Sequence, residues 1–406
     1  MNILLEKRFD DMNILLLTSS FPGKANPIAG IFIQDLAKYM SNAGHKIYVV
    51  TPKTDSKDLG FENLPVASIY RFVYSGYQNR KIGAGTRSIP IFSVIYFIIA
   101  MFLVAERVIR KEHIDVIHCF WAIPSGFVGI LLKKFFGLPV VMSALGSDLN
   151  VWSYKRGPGA VIGYTIRHMD YVFVLGDLLK KRAIELGVKP EKVQVTLGIG
   201  GVDPSKFYPR QKDKAFLLEY GVSSEHPLCL FVGRLAQPKR LDLVLLALVN
   251  HPNIRLLVVG DGPDAENFKS IAKKLLLDRQ VIFLGQVPLS FLLKCYAATD
   301  FIVYPSENEG VPTTLLEGQA MGVPAIASAV GGIPDIIQDG INGLLARNSV
   351  DSFHELLTKV EQDRTILDRM RVAAIEFSNE NLLPDKLVSG ILKVYDRLIR
   401  NKGIRL

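Results

Sequence analysis

Residues 301–322 constrain the fold of this chain more than any other stretch. Phe301-Ile302-Val303-Tyr304 is short, apolar and β-branched or aromatic, and Pro305 closes it, so it reads as a buried strand. The run from Thr313 to Met321 carries Leu, Glu, Gln and Ala and stops at Gly322-Val323-Pro324, the pattern of a helix with a glycine terminator. A strand that feeds a helix through a short loop is half of a βαβ unit, and such loops are where open α/β sheets bind ligands. Glu309 and Glu317 flank the expected helix start. Free N–H groups at that start favour a phosphate, which leaves the two carboxylates to accept hydrogen bonds from hydroxyls. A diphosphate between hydroxyl-bearing groups is the chemistry of a nucleotide-sugar.

The same alternation of strand-like and helix-like patterns fills the chain twice. In the first half, residues 13–18, 46–51, 116–119, 140–143, 171–175 and 193–196 read as strands, with an amphipathic helix over Ile31–Asn42 ended by Gly44. In the second half the strand candidates are Leu228–Val232, Arg255–Val259, 281–284, Phe301–Tyr304 and Ala325–Ser328. Strands alternating with helices imply doubly wound parallel sheets, and 406 residues exceed one ordinary core. The expected class is therefore α/β, with two Rossmann-like domains facing a cleft. The first covers 12–202, a linker rich in Pro, Lys, Asp and Ser covers 203–227, and the second covers 228–383. A last helix, within about 384–406, is expected to return to the first domain.

Charge is unevenly spread. Residues 1–200 hold 24 Lys and Arg against 15 Asp and Glu, so the whole net charge of +9 lies there. That half suits either a plainly soluble basic surface or an anionic partner: a membrane, a lipid pyrophosphate or an acidic glycan. No helix-turn-helix, zinc or RNA-binding aromatic motif accompanies the charge, which argues against nucleic acid. Residues 89–105 are uncharged and flanked by Arg80, Lys81, Arg87, Arg107, Arg110 and Lys111. They fall short of the ~20 residues a span needs, and they include Pro90 and Ser93. A span there would also strand the early strands across the bilayer from their own sheet. A buried helix and a helix resting on a membrane surface both remain open. Cys119, Cys229 and Cys295 form no CxxC or Cys/His cluster, so buried thiols in a reducing compartment are expected. The charged N-terminus shows no signal peptide. Met1-Asn-Ile-Leu-Leu recurs at Met12, the expected functional start.

Around Glu309 the words match as well as the spacing. Tyr304-Pro305-Ser306-Glu307-Asn308-Glu309-Gly310-Val311-Pro312-Thr313-Thr314-Leu315-Leu316-Glu317 resembles the E-x7-E motif of retaining glycosyltransferases of family 4, which have the GT-B fold and include members building bacterial or archaeal surface polysaccharides. In that family the second glutamate, here Glu317, holds the donor ribose, and the first, Glu309, faces the sugar hydroxyls. The loop residues Gly310, Val311, Pro312, Thr313 and Thr314 would lie along the donor. Gly233-Arg234 followed by Lys239 is similar to the family's G-R-x-x-x-x-K element, which implies that Arg234 and Lys239 bind the diphosphate and stabilise it as leaving group. Arg240 is the alternative in a shifted register. Gly260 and the pair Gln286-Val287 match loops that close around the base, and Gly331-Gly332 fits a tight strand-to-helix turn. In the first half, Gly30 matches the glycine that approaches the donor phosphate. His118, in Asp115-Val-Ile-His118, matches a residue on the acceptor side and also suits a satisfied core histidine. The resemblance runs from about residue 13 to about residue 400.

Two departures stand out. Leu145-Gly146-Ser147-Asp148 occupies the place of the family's H-G-x-D, so the histidine that binds the transferred sugar is absent, while Asp148 remains to orient an acceptor hydroxyl. Gly200 stands where the family shows the asparagine of N-G-V-D. No D-x-D occurs, which fits a metal-independent site with no cofactor beyond the donor, where Arg234 and Lys239 replace the cation. The resemblance implies transfer from a nucleotide-diphosphate sugar to a glycan or lipid-linked saccharide; the basic first half and its apolar segment add the expectation of a cytoplasmic protein that can sit peripherally on the membrane's inner face. A nucleotide-sugar-binding protein with weakened turnover and a nucleotide-sugar epimerase are the rivals.

Overall fold

The computed structural model describes residues 11–73 and 91–403, apart from 25, 28, 56, 57, 213–215, 217, 218 and 221–225. The N-terminal stretch around Met1, and Arg80, Lys81, Arg87 and Pro90 beside the apolar segment, lie outside the described residues. The chain divides into two units: one runs to Gly201 and resumes at Pro384, and the other is Val202–Leu383.

The first unit is built on β1 (Asn13–Leu17), β2 (Lys46–Pro52), β3 (Phe61–Leu64), β4 (Ala67–Phe72), β5 (Val116–Phe120), β6 (Val140–Ala144), β7 (Tyr171–Val174) and β8 (Val193–Val195). Their order across the sheet is β3-β4-β2-β1-β5-β6-β7-β8, parallel except for the β3–β4 pair. Every residue of β5, β6 and β7 is buried. Parallel strands read as unbroken apolar runs for this reason, because helices cover both faces. On one face lie Ile91–Glu112, Phe127–Phe136 and Pro158–His168; on the other, Ile31–Asn42 and the final helix Pro384–Asn401. That last helix places Val388, Ile391, Leu392, Tyr395 and Ile399 at helical spacing against Ile33, Leu36 and Met40. Each such fully buried aliphatic side chain contributes about 1.5–3 kcal/mol. Lys402 closes the return, its Nζ donating to Gly137 O at 2.9 Å and Leu138 O at 3.0 Å.

In the second unit β9 (Leu228–Val232), β10 (Arg255–Val259), β11 (Val281–Gly285), β12 (Phe301–Tyr304), β13 (Ala325–Ser328) and β14 (Gly343–Ala346) form an all-parallel sheet in the order β11-β10-β9-β12-β13-β14. The stretch 203–227 is not a free connector where it is described. Val202 N donates to Leu382 O at 2.9 Å, the Phe207 ring lies 6.4 Å from Tyr296 and the buried Phe216 lies 5.4 Å from Phe291. Lys212 pairs with Asp300, which also accepts from Leu228 N at 2.9 Å. Aromatic burial ties this polar-looking segment to the second unit.

Both sheets share one feature that decides where ligands go. From β1 the chain steps outward to β2 and β4 and then returns to β5 on the other side of β1; from β9 it steps to β10 and β11 and returns to β12. Loops leaving adjacent strands in opposite directions open a crevice at the strands' carboxyl ends.

Candidate active site

At the second sheet's crossover the loop after β9 carries Arg234 and Lys239, and the loop after β12 carries Glu309. The two loops are stitched by Glu307 N donating to Pro238 O at 2.9 Å. Lys239 Nζ forms an ion pair with Glu309 and donates to Tyr304 Oη at 2.8 Å. Tyr304 Oη and Ser306 Oγ also donate to Glu309, at 3.1 and 2.7 Å, so three donors converge on Oε1. Burial, and then the Glu309 charge, hold the Tyr304 phenol well above its ordinary pKa, so it stays a donor. Arg234 is exposed on the same loop. The helix Thr313–Ala320 follows directly; Pro312 at its N-cap offers no side-chain acceptor to the first-turn N–H groups. Gly322, at φ +68°, terminates it as the sequence indicates.

Glu317 sits within that helix. Tyr296 Oη donates to Glu317 Oε2 at 2.8 Å and contacts Thr314 O at 3.4 Å, while Thr314 Oγ1 donates to Val232 O at 3.2 Å. Burial pushes the Glu317 carboxyl up to about 7, against the opposing pull of the Tyr296 hydrogen bond. A carboxyl poised there can donate to or accept from a hydroxyl, which suits a ribose diol.

The glycines serve backbone contact. A Cβ on Gly331 (φ +58°) would stand 1.8 Å from Glu309 O, and one on Gly332 would stand 2.5 Å from Gly310 O, to which Gly332 N donates at 3.1 Å. The turn after β13 therefore rests on the backbone that aims Glu309. Gly260 (φ +128°) lies equally close to Gly233 O, and Leu235 N donates to Asp261 O at 3.0 Å, so the loops after β9 and β10 pack directly on each other. Gln286 is exposed and Val287 half-buried just beyond β11. Val311 is half-buried, Thr313 exposed and Thr314 buried.

The remaining candidates belong to the first unit. Gly30, at φ +66°, precedes the helix Ile31–Asn42, where a Cβ would stand 2.3 Å from Ser20 O. Asp148 is not presented to a ligand here: it is buried, and its carboxylate accepts from Ala122 N at 3.2 Å and from Gly146 N and Leu149 N at 3.1 Å. It pins the loop after β5 to the loop after β6. The Phe32–Trp121 edge contact at 6.3 Å joins the same loops to the start of the Gly30 helix. His118, matched to an acceptor-side residue, takes its other reading as a core residue. It is fully buried, with one ring nitrogen paired to Tyr395 Oη, the other 2.8 Å from Ser143 Oγ, and its ring stacked on Phe120. Burial pulls its pKa down to about 3. Leu145 packs on the same apolar cluster. A Cβ on Gly200 would meet Phe32 O at 3.0 Å and Leu36 N at 3.2 Å, so the helix backbone occupies the room an asparagine side chain would need. Among the described residues no three His, Cys, Asp or Glu side chains cluster as metal ligands.

The sequence reading missed Tyr304, Ser306 and Tyr296, the hydroxyls that hold the two glutamates. Ser306 was the one with a signal, since it lies three residues before Glu309 in a turn.

Comparison with known proteins agrees with this geometry. Residues 29–198 match the family model Glycosyltransferase Family 4, and residues 214–377 match Glycosyl transferases group 1. The chain is 26% identical to the N-acetyl-alpha-D-glucosaminyl L-malate synthase of Bacillus anthracis over 92% of its own length and 94% of that protein. It is 25% identical to a D-inositol 3-phosphate glycosyltransferase of Mycolicibacterium smegmatis, covering 86% and 81%. Its fold is similar to a sucrose-phosphate synthase of Thermosynechococcus elongatus (TM-score 0.77, 20% identity, 96% and 100% covered) and to Anabaena Alr3699/HepE in complex with UDP (TM-score 0.74, 16% identity, 94% and 99% covered). With the two family domains in series, each on its own doubly wound sheet, the chain belongs to the family 4, group 1 glycosyltransferases and has the GT-B fold.

Proposed function

We propose that this glycosyltransferase moves a sugar from a nucleotide-diphosphate sugar, with retention and without a metal ion, to a glycan or lipid-linked saccharide at the cytoplasmic face of the membrane. One observation carries the reading: at the second sheet's crossover, Lys239, Glu309 and the start of the helix Thr313–Ala320 meet on adjacent loops. In the free protein Lys239 is neutralised by Glu309. A half-buried pair of this kind is worth about 1 kcal/mol, less than an ammonium gains against a doubly charged diphosphate. An arriving donor therefore takes Lys239, with Arg234 and the first-turn amides holding the other phosphate oxygens. Glu309, released from Lys239 but still held by Ser306 and Tyr304, turns its carboxylate to the sugar hydroxyls, and Glu317 takes the ribose. As the anomeric carbon–oxygen bond breaks, Arg234 and Lys239 stabilise the charge on the leaving diphosphate. The leaving phosphate accepts the acceptor's proton on the same face, and the new bond forms there, which preserves configuration. No protein base is required, so Leu145 does not forbid turnover. The basic first unit would take the acceptor.

Thermal stabilisation by UDP, GDP, ADP and dTDP, with Arg234→Ala alongside, tests the donor site. Stabilisation by one diphosphate that the variant loses supports it, and no stabilisation by any overturns it. Product stereochemistry by NMR then tests retention. The second reading, a nucleotide-sugar-binding protein with weakened turnover, draws on Leu145 and on the closed space at Gly200; diphosphate release with any acceptor would end it.

A further inference from the structure

The helix Ile91–Glu112 carries two different apolar faces. Phe97, Met101, Ala105, Val108 and Ile109 are buried with Tyr48, Val50 and Phe72 of the first sheet. On the other side Phe92, Ile95, Tyr96, Ile99 and Leu103 stand 81%, 47%, 46%, 53% and 48% exposed. Their spacing of three and four residues puts them in one outward stripe, and an 18-residue stretch of this helix is apolar enough to suit a membrane. The same stripe ends in Arg107 and Arg110. Beside it lies a surface pocket of 340 Å³ lined by Tyr70, Arg71, Val104, Arg107, Val108 and Lys111, with Gly60 at its edge. Arg71 is 6% exposed, Glu62 holds its Nε at 2.9 Å, and its Nη1 is buried without a partner. Glu112 accepts from Lys111 and Tyr70 at 2.9 Å. Arg107 enters no ion pair among the described residues.

We propose that this face seats on an anionic lipid bilayer, with the stripe from Phe92 to Leu103 among the acyl chains and a lipid phosphate in the pocket of Arg71, Arg107 and Lys111. Three observations choose this occupant. The helix cannot span a bilayer, because its opposite face belongs to the core of the sheet and its end leads to β5 in mid-sheet. A stripe of large apolar side chains ending in cations is the composition of a helix lying in the membrane interface. The +9 excess confined to residues 1–200 repels a second copy of this unit and attracts an anionic surface. The proposal deepens the membrane-face part of the proposed function and rests on it only there.

The test is cosedimentation of the full chain with vesicles of phosphatidylcholine alone and of phosphatidylcholine with phosphatidylglycerol, at low and high salt. Two variants accompany it: Ile95→Ser/Ile99→Ser/Leu103→Ser, which alters only exposed positions, and Arg107→Gln/Lys111→Gln. The expected result is binding to the phosphatidylglycerol vesicles that weakens with salt and falls about tenfold or more in each variant. Absence of binding, equal binding to both vesicles, or binding untouched by the variants would overturn it. So would a concentration-dependent dimer that the triple serine variant breaks, since a second copy would then own the face. The melting-temperature shift with nucleoside diphosphates is read on the same samples. A failed membrane contact with intact donor binding is thereby distinguished from a failed donor site.

Discussion

At the second sheet's crossover, polar side chains sit at or near the surface: exposed Arg234, half-buried Lys239 and Glu309, and a helix start with no side-chain cap. Beside the first sheet's crossover, in β5 and in the loop after β6, the polar groups turn inward. His118 is consumed by Ser143 and Tyr395, and Asp148 by three backbone N–H groups. The topology is shared, so topology alone supplies a place and not a chemistry. Chemistry follows where hydrogen-bonding capacity is left for a ligand. In the first unit that capacity is spent on holding loops, which leaves the close backbone approach at Gly30 and the positive charge of residues 1–200 as its contribution.

The comparison breaks most readily at Lys239. Lys239→Ala should lower turnover about 10²–10³-fold, the range for losing one preorganised group that stabilises leaving-group charge. It should move the melting temperature little, because the pair it leaves is half-buried. His118→Ala should do the reverse. It empties a buried ring volume and orphans Tyr395 Oη and Ser143 Oγ, at a cost of about 2–4 kcal/mol. The melting temperature should fall by about 2–4 °C for each of those kilocalories, with turnover per folded molecule unchanged. A His118 variant that folds normally and fails to turn over would put this histidine back in the site and end the contrast.

A finer division exists within the second unit. Gly331 and Gly340 both have left-handed φ, +58° and +76°, but only Gly331 faces the Glu309 carbonyl; beside Gly340 there is open space. Alanine at either position costs about 1 kcal/mol in backbone strain. Gly331→Ala should in addition displace Glu309 and abolish stabilisation by the nucleoside diphosphate, whereas Gly340→Ala should keep it. Equal behaviour in the two variants would mean that the turn after β13 does not position the glutamate.

Much of this was legible in the chain. Nearly every central strand announces itself as an apolar run, because a parallel strand buried on both faces has no polar side to interrupt it. What stayed hidden lies toward two of the four sheet edges: Phe61-Glu62-Asn63-Leu64 is half solvated, Ala67–Phe72 beside it is only partly buried, and Gly343-Leu344-Leu345-Ala346 is short and starts with glycine. The glutamates and cations were legible through their spacing, and their supports were not. Tyr296 lies 21 residues from Glu317 and looks like any core aromatic until the fold brings its hydroxyl to the carboxylate. Spacing also cannot tell an inward side chain from an outward one in a strand buried throughout, which is why the pattern around His118 fits a ligand contact and a core residue equally well.

A last contrast between the units runs through pH. His118 keeps a depressed pKa of about 3 in the fold against 6.5 in an unfolded chain, so the unfolded state binds more protons between these values. Stability of the first unit therefore rises with pH across that window. Glu317 has the opposite sign: its carboxyl holds a proton up to about 7 in the fold but only to about 4.5 when unfolded, so the folded state binds more protons between them. Stability of the second unit should fall as pH rises from 4.5 to 7, by about 3 kcal/mol at most and less where water reaches the side chain. Glu317→Gln removes that slope. Measured against pH by chemical denaturation, the variant should match the parent near pH 4.5 and exceed it by about 2 kcal/mol near pH 8. A bound nucleotide whose ribose hydroxyls satisfy the carboxylate should narrow the gap, since the charged form then gains the partners that burial denied it. A parent with no downward slope, or a variant that tracks it at every pH, would show that Glu317 is already solvated in the free protein and that its burial is not what readies it for the ribose.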